Sequence, residues 1–419
     1  MAGTADGGHD GHGPDITQLG SAPSPGWLTR RSAEAVRAAE GPAFEPAEYA
    51  ARLAALRDRM AGLPLDAMLV FRPSSVEYLC GFHTAETAPQ PLLVTHAETH
   101  LYIPDLEVGR ALASSVAGNL HYCGYADALR GLELFLQHAA SVLPRGARVG
   151  VETGHPSTPP RALDLLREHG LVAVEPGYLV ERARLVLSPA ELRRIEEAAE
   201  VTRRGVEAGV EAAGATGATD SSVAAAIAAA LYDGADSASA WGPLVVSGRR
   251  SGIPHSSWVG SPLSAGATFM EFAGTRSRYH APVMRTVVRD GPLWPADRRL
   301  VDLARTAVAA VLEHAAEGVT ASHVATQAGK ALGRLPDDVM FHQLFGYPVG
   351  LAHKPHWMDG APFYLTPDNH EPLESGMVFH IPGSFRSFGN ACVGLSQTFV
   401  VERNGTRALT HGPADVIEI

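Results

Sequence analysis

Beyond residue 45 the apolar positions fall into two rhythms that alternate along the chain. Tyr49, Leu53, Leu56 and Met60 recur at helical spacing in PAEYAARLAALRDRM, and DAMLVF (66–71) follows as the short apolar run of a buried strand. Short strands are expected again at 91–96 and 100–104. A helix at 127–143, a strand at 147–153, a helix at 159–169 and a strand at 171–175 continue the pattern. Such alternation implies a layered α/β domain, here spanning 46–186.

The segment VLSPAELRRIEEAAEVTRRGVEAGVEAA marks a change of organisation. Ser188 suits an N-cap, Pro189 the first helical position, and Glu191 completes a capping box. A helix is expected to about 213 and another over 219–233. Extended segments punctuated by Gly and Pro come next (WGPLVVSG, ATFMEFAG, YHAPVMRTVVRD, GMVFHIPG, SQTFVVERNG), with helices near 296–317 and 321–333 between them. Residues 187–419 therefore read as helices packed on a mostly antiparallel sheet. Residues 1–45, rich in Gly, Pro, Asp and Ser, read as a disordered or extended tail that contains His9 and His12.

Composition narrows the class. At 419 residues, two domains are the natural expectation. No apolar run approaches the roughly 20 residues that span a bilayer, and the N-terminus carries no basic-then-apolar leader. A soluble cytoplasmic protein without a membrane partner is the expectation. The net charge of −11, without a basic stripe, argues against a nucleic-acid partner. Cys80, Cys123 and Cys392 are too few and too scattered for a disulfide framework or a zinc site.

Several local motifs fall in the order and spacing of a known family. VLSPAELRRIEEAAEVT resembles its opening helix, SGRRSGIPHSS its "PH" loop, and GTRSRYHAPVMRTV its central hairpin. LESGMVFHIPG and VGLSQTFVVERNG resemble its two closing strands, and VEYLCGF a turn of its first domain. Together they resemble the creatinase/aminopeptidase P family. The resemblance implies an α+β fold: a C-terminal pita-bread catalytic domain preceded by a smaller α/β creatinase-type N-terminal domain. It also implies a homodimer in which the N-terminal domain sits near the partner's active site.

Metal-bearing members of that family hold two divalent ions with two Asp, one His and two Glu. The corresponding positions here are Glu271, Pro282, Tyr347, Ile381 or Pro382, and Ser396. Proline, serine and an aliphatic side chain are poor ligands for a metal pair. The sequence thus resembles the metal-free branch that includes creatinase and ectoine hydrolase, and no metal or other cofactor is expected. The two glutamates with which creatinase holds a guanidinium correspond to Met284 and to Ile381 or Pro382, and the LAHKPHWMDG loop differs from that of ectoine hydrolases. Neither relative's substrate transfers directly.

The candidate catalytic residues are His255, Glu271, Tyr347 and His353. His255, in the "PH" loop, would shuttle protons near neutral pH. Glu271, a carboxylate in an apolar strand, would orient a His, hold water or bind a cation, or else form a structural ion pair with Arg285. Tyr347 would donate to a developing oxyanion or simply fill the space of a metal. His353 lies near the position of a second family His. Candidate substrate contacts are His280, Arg285, His380, Ser396 and Gln397, with Phe82 and His83 reaching a second copy's pocket. Arg285 has bracing of its hairpin as an equal alternative. Strand alternation groups His280, Pro282 and Met284 on one face of their strand, opposite Tyr279, Ala281 and Val283.

The reading that these residues support is a metal-independent hydrolase of a C–N bond in a small polar molecule such as a cyclic amidine, ureide, lactam or modified amino acid, working by His-based acid–base catalysis with His255 as base and then acid. A lyase, isomerase or cyclase on the same fold is the alternative, followed by a catalytically inactive binding protein and, last, a metallopeptidase with unfamiliar ligands.

Overall fold

The computed structural model describes residues 15–21, 25–291, 293, 295–412 and 414–419. The chain divides into two compact units, the second beginning at Arg184. His9 and His12 lie outside the described residues.

The first unit is built on a seven-stranded sheet: β1 (Asp15–Leu19), β2 (Ala67–Val70), β3 (Leu92–Thr95), β4 (Thr99–Pro104), β5 (Asn119–Cys123), β6 (Arg148–Val151) and β7 (Val172–Val174), in the order β1-β5-β4-β3-β2-β6-β7. Helices α1 (Arg30–Ala39), α2 (Pro46–Gly62), α3 (Pro73–Cys80), α4 (Val108–Ser114), α5 (Ala128–Val142), α6 (Pro160–Glu168) and α7 (Leu179–Ala183) accompany it. Tyr102, Phe135, Leu136, Val149 and Leu165 form its core between the sheet, α5 and α6.

Two elements fall in the segment expected to be a tail. β1 pairs in parallel with β5, Ile16 opposite Leu120. In α1, Thr29 and Ser32 form a reciprocal cap. The tail reading rested on composition. It missed that DITQL has enough β character to extend an existing sheet edge, where the partner strand supplies the hydrogen bonds.

The second unit contains α8 (Pro189–Gly214), α9 (Asp220–Tyr232), β8 (Leu244–Ser247), β9 (Gly266–Arg276), β10 (Tyr279–Arg289), α10 (Pro295–His314), α11 (Ala321–Leu332), β11 (Val339–Met340), β12 (Tyr347–Pro348), β13 (Val378–Ser387), β14 (Ala391–Glu402), β15 (Gly405–Ala408) and β16 (Ile417–Glu418). They make two sheets, β16-β10-β9-β8 and β11-β13-β14-β15, with β12 paired to β13. The capping box forms as the sequence suggests, and Glu191 uses its second oxygen to accept from Tyr279 OH at 2.6 Å. One carboxylate thus starts α8 and ties it to the β9–β10 hairpin.

Strand periodicity sorts every side chain of these sheets onto one of two faces. On the outer faces, Met270, Phe272, Val283 and Val287 pack against Val201 of α8 and Ile227 of α9. Phe379, Ile381, Phe399 and Val401 pack against Val308 and Val311 of α10 and Val324 of α11. The inner faces meet each other. Met284 N donates to Ser396 Oγ at 2.6 Å, Thr398 Oγ1 to the Pro282 carbonyl at 2.8 Å, and Gly394 N to Thr286 Oγ1 at 3.0 Å. The contact is close: a Cβ on Gly394 would lie 2.2 Å from the Phe269 ring. This is a sandwich of two helix-covered sheets whose facing strands supply the candidate residues.

Candidate functional site

The inner-face parity places Glu271 of β9, His280 and Pro282 of β10, His380 and Arg386 of β13, and Ser396 of β14 in the space between the two sheets. The alternation expected for His280, Pro282 and Met284 against Tyr279, Ala281 and Val283 is what the structure has, since Tyr279 and Val283 face α8.

Glu271 is 4% exposed and has no hydrogen-bond partner among the described residues. Burial pushes its carboxyl up to about 7, partly opposed by the positive charge of Arg386. It forms no ion pair with Arg285. That arginine donates from Nη1 to the carbonyls of Met284 (2.9 Å) and Ser396 (2.8 Å), and from Nη2 to that of His411 (3.0 Å). Arg285 also borders a cavity of about 310 Å³ with Val206, Val283 and His411 on the α8 side of β10. It braces the sheets from the outer face, and the substrate-contact reading is corrected accordingly.

Tyr347 is buried beside His380, its opposite neighbour in the β12–β13 ladder. Trp357 Nε1 donates to the Tyr347 hydroxyl at 2.9 Å, and that hydroxyl lies 2.7 Å from His380 Nδ1. Burial, joined by the nearby Glu271, raises the phenol well above its usual value. Burial, joined by Arg285 and His356, lowers the His380 imidazole to about 3. The phenol is therefore protonated and the ring neutral, so the network assigns Tyr347 O–H as donor to Nδ1 and leaves the His380 proton on Nε2. Nε2 is buried without a partner. Tyr347 is thus committed to its neighbours, and the donor that remains unused in this chain is His380 Nε2–H.

His255 is exposed and has a left-handed backbone (φ 58°). Burial of part of the ring, then Arg386 and His342, lower its pKa, so it is neutral at pH 7. Its ring stands edge-on to Trp241 at 5.2 Å. Trp241 also contacts His356 (4.4 Å) and Trp357 (5.4 Å). This aromatic wall was not foreseen. Trp241 lies in a loop with no motif, and only its bulk beside WGPLVV could have drawn attention.

The other candidates are more committed. His280 is fully buried, and its Nε2 accepts from the Ala240 amide at 2.9 Å, which fixes the loop after α9 rather than facing a substrate. Gln397 points away from the inner face: its Nε2 donates to the Gly412 carbonyl (2.7 Å) and its Oε1 accepts from Thr410 Oγ1 (2.5 Å). Gln397 leaves the set of substrate contacts, because its polar atoms already have partners, whereas His280 keeps a buried Nδ1 without one. Ser396 Oγ accepts from Met284 N and retains a proton to donate. His353 is half-buried, with its amide donating to Asp359 Oδ2 at 3.2 Å. In the first unit, Phe82 is buried, while His83 is half-buried with Nδ1 3.3 Å from the Gly81 carbonyl.

The residues at the five family metal positions do not fit a metal pair. Glu271 is one carboxylate, Pro282 offers no side-chain donor, Tyr347 is protonated and doubly engaged, and Ser396 braces β10. Among the described residues, no three His, Cys, Asp or Glu side chains are grouped to hold a metal. No helix of the described residues is long and apolar enough to cross a membrane.

Comparison with known proteins agrees with the fold. Residues 193–403 match the profile of metallopeptidase family M24, and residues 52–186 that of the creatinase/prolidase N-terminal domain. An uncharacterized hydrolase/peptidase, y4tM, of Sinorhizobium fredii is 27% identical over 399 residues, covering 89% of this chain and 98% of that protein. An ectoine hydrolase of Halomonas elongata is 29% identical over 177 residues, covering 41% and 42% of the two chains. In structure, dipeptidase PepE of Mycobacterium ulcerans superposes with a TM-score of 0.75 at 23% identity, over 90% of this chain and 99% of that one.

Proposed function

The chain belongs to metallopeptidase family M24, with a creatinase/prolidase N-terminal domain, and within that family we propose that it is a hydrolase of a C–N bond in a small polar molecule that works by side-chain acid–base chemistry instead of a dinuclear metal centre. The observation that carries this reading is the site between the sheets. Four of the five family metal positions hold residues without a free anionic donor, and the fifth, Glu271, is a buried carboxyl held near neutrality.

In this reading Glu271 takes the proton of the attacking water and returns it to the leaving nitrogen. A carboxyl whose pKa lies near the working pH suits both steps. His380 Nε2–H, held by the Tyr347–Trp357 chain, faces the oxygen on which negative charge develops. His255, being exposed, exchanges protons with solvent. Without a Lewis acid, the electrophilic carbon needs prior activation, as in an amidine or a strained cyclic amide. The likeness to an ectoine hydrolase, whose name denotes hydrolysis of a cyclic amidine, supports that substrate class. If the chain forms a dimer, His83 rather than the buried Phe82 is the residue available to a second copy.

The deciding experiment is metal content together with turnover. The full chain, purified without added metal, is offered ectoine, creatine, cyclic ureides and an Xaa-Pro dipeptide with and without chelator. Chelator-resistant hydrolysis by metal-free protein supports the reading. Two tightly held metals per chain and chelator-sensitive dipeptide cleavage sink it.

A further inference from the structure

Two other buried arginines are well matched. Arg72 pairs with Glu181 at 2.7 Å, and Arg285 donates to three carbonyls. Arg386 is different. It is 7% exposed on the inner face of β13, in the same parity as His380. Nη1 donates to Ser384 Oγ at 2.5 Å, and Nε is buried with no acceptor. Among the described residues no carboxylate lies within ion-pair distance of it. The guanidinium carbon is 5.7 Å from the centre of the Phe269 ring.

A guanidinium stays charged at any working pH. Burying that charge without a partner costs several kcal/mol as an order of magnitude. Glu271 is close enough for the two to feel each other's charge but does not touch it, and it is itself only partly ionised at neutral pH. The internal counterion is therefore incomplete, at a place where the charge of Arg386 is also felt by His255.

We propose that Arg386 anchors a carboxylate of the substrate, its planar fork holding the acid end of a small carboxylic acid while the nitrogen-bearing end lies toward Glu271. The orientation rests on the hydrolase reading above; the anchoring itself does not. A carboxylate suits the site better than phosphate. One guanidinium balances one negative charge, whereas a phosphate dianion would set a second one against Glu271. The substrate class narrows to cyclic amidine or lactam acids and modified amino acids with a free carboxylate.

Calorimetric titration of the full chain tests this by binding, so turnover is not needed. The probes are ectoine, L-pyroglutamate and L-proline, the last two also as their primary carboxamides, with inorganic phosphate as a further arm. At least one acid is expected to bind wild-type protein, and, where its amide is compared, more tightly by about 10-fold or more. Arg386→Gln should weaken that acid by about 10- to 100-fold, the loss of a charge-assisted contact, and Arg386→Lys by less. Melting curves check that the variants are folded, and Arg386→Lys keeps the test available if Arg386→Gln is not. Equal binding of acids and amides, unchanged binding in Arg386→Gln, phosphate binding tighter than every acid, or no binding of any acid would each overturn the anchor. Arg386-dependent binding without turnover upholds the anchor and counts against the hydrolase. Turnover of acid and amide alike, insensitive to Arg386, does the reverse.

Discussion

The Tyr347 hydroxyl lies 2.7 Å from Nδ1 of His380, the residue directly opposite it across the β12–β13 ladder. Trp357 donates to the same oxygen. The three rings form a one-way chain of hydrogen bonds that fixes the imidazole tautomer and turns its remaining N–H inward. Tyr347→Phe breaks both links and leaves two buried groups unsatisfied. Stability should fall by about 1–3 kcal/mol. Trp357→Phe should be less than additive with it, because both changes remove one shared bond. Chemical denaturation of the two single variants and the double variant reads the coupling.

Glu271 makes stability depend on pH in an unusual direction. Its folded pKa, about 7, lies above the ordinary 4.5. Between those values the native state holds a proton that the unfolded chain has lost. The group's contribution is therefore complete below about 4.5, declines as pH rises, and is gone above about 7, a change of ~3 kcal/mol at order of magnitude. Glu271→Gln should remove this decline and, relative to wild type, gain stability as pH rises from 4.5 to 7. Thermal melts across that range test it. The same variant should abolish the activity limb near pH 7.

The first unit has the opposite sign. His100 and His121 are joined Nδ1 to Nε2 at 3.0 Å, and the His138 ring lies tilted against His121 with centroids 4.0 Å apart while bonding to Tyr102 OH. Burial, then His138 and His100, depress His121 to about 3; burial also lowers His100, despite Glu98 beside it, and His138. Unfolded histidines bind protons near 6.5, so stability present above that pH is lost as pH falls toward 3. Hydrogen exchange should show β4, β5 and α5 opening first on acidification. His121→Asn should flatten that response.

His255 is exposed, so its loss should cost activity far more than stability. The left-handed backbone there suits Asn as well as any side chain, which makes His255→Asn the clean variant. Turnover should fall by about 10²–10⁴-fold, the usual span of a positioned acid–base group, with the melting temperature nearly unchanged.

Gly394 tests the packing of one sheet on the other. A methyl there meets the Phe269 ring at 2.2 Å, and Phe269 is itself packed with Met284 and Cys392. Gly394→Ala should destabilise by about 3 kcal/mol, the upper range for overpacking. Denaturant unfolding measures it.

Much of the architecture was legible because it is written in local signals. The capping box at Ser188 and Glu191 and the alternation from Tyr279 to Met284 specify their own geometry. The strand Asp15–Leu19 was not legible, since its stability comes from β5, more than a hundred residues away. The site was half legible. Glu271 stood out as a charge in an apolar strand, but the parity that turns Arg285 outward and Arg386 inward depends on which face the helices cover. Likewise, nothing in GYPVG announces that Trp357 and His380 will use up the Tyr347 hydroxyl.

The inward and outward sides of β9, β10, β13 and β14 are occupied by alternate residues, and only the outward set joins the helix-packed cores. The outward residues hold the helices, while the inward ones carry both the candidate site and the contacts between the sheets. Pro282 and Ser396 belong to the inward set, and neither joins the helix-packed cores. A lineage can abandon one catalytic strategy and explore another while the packing of its helices remains under unchanged selection.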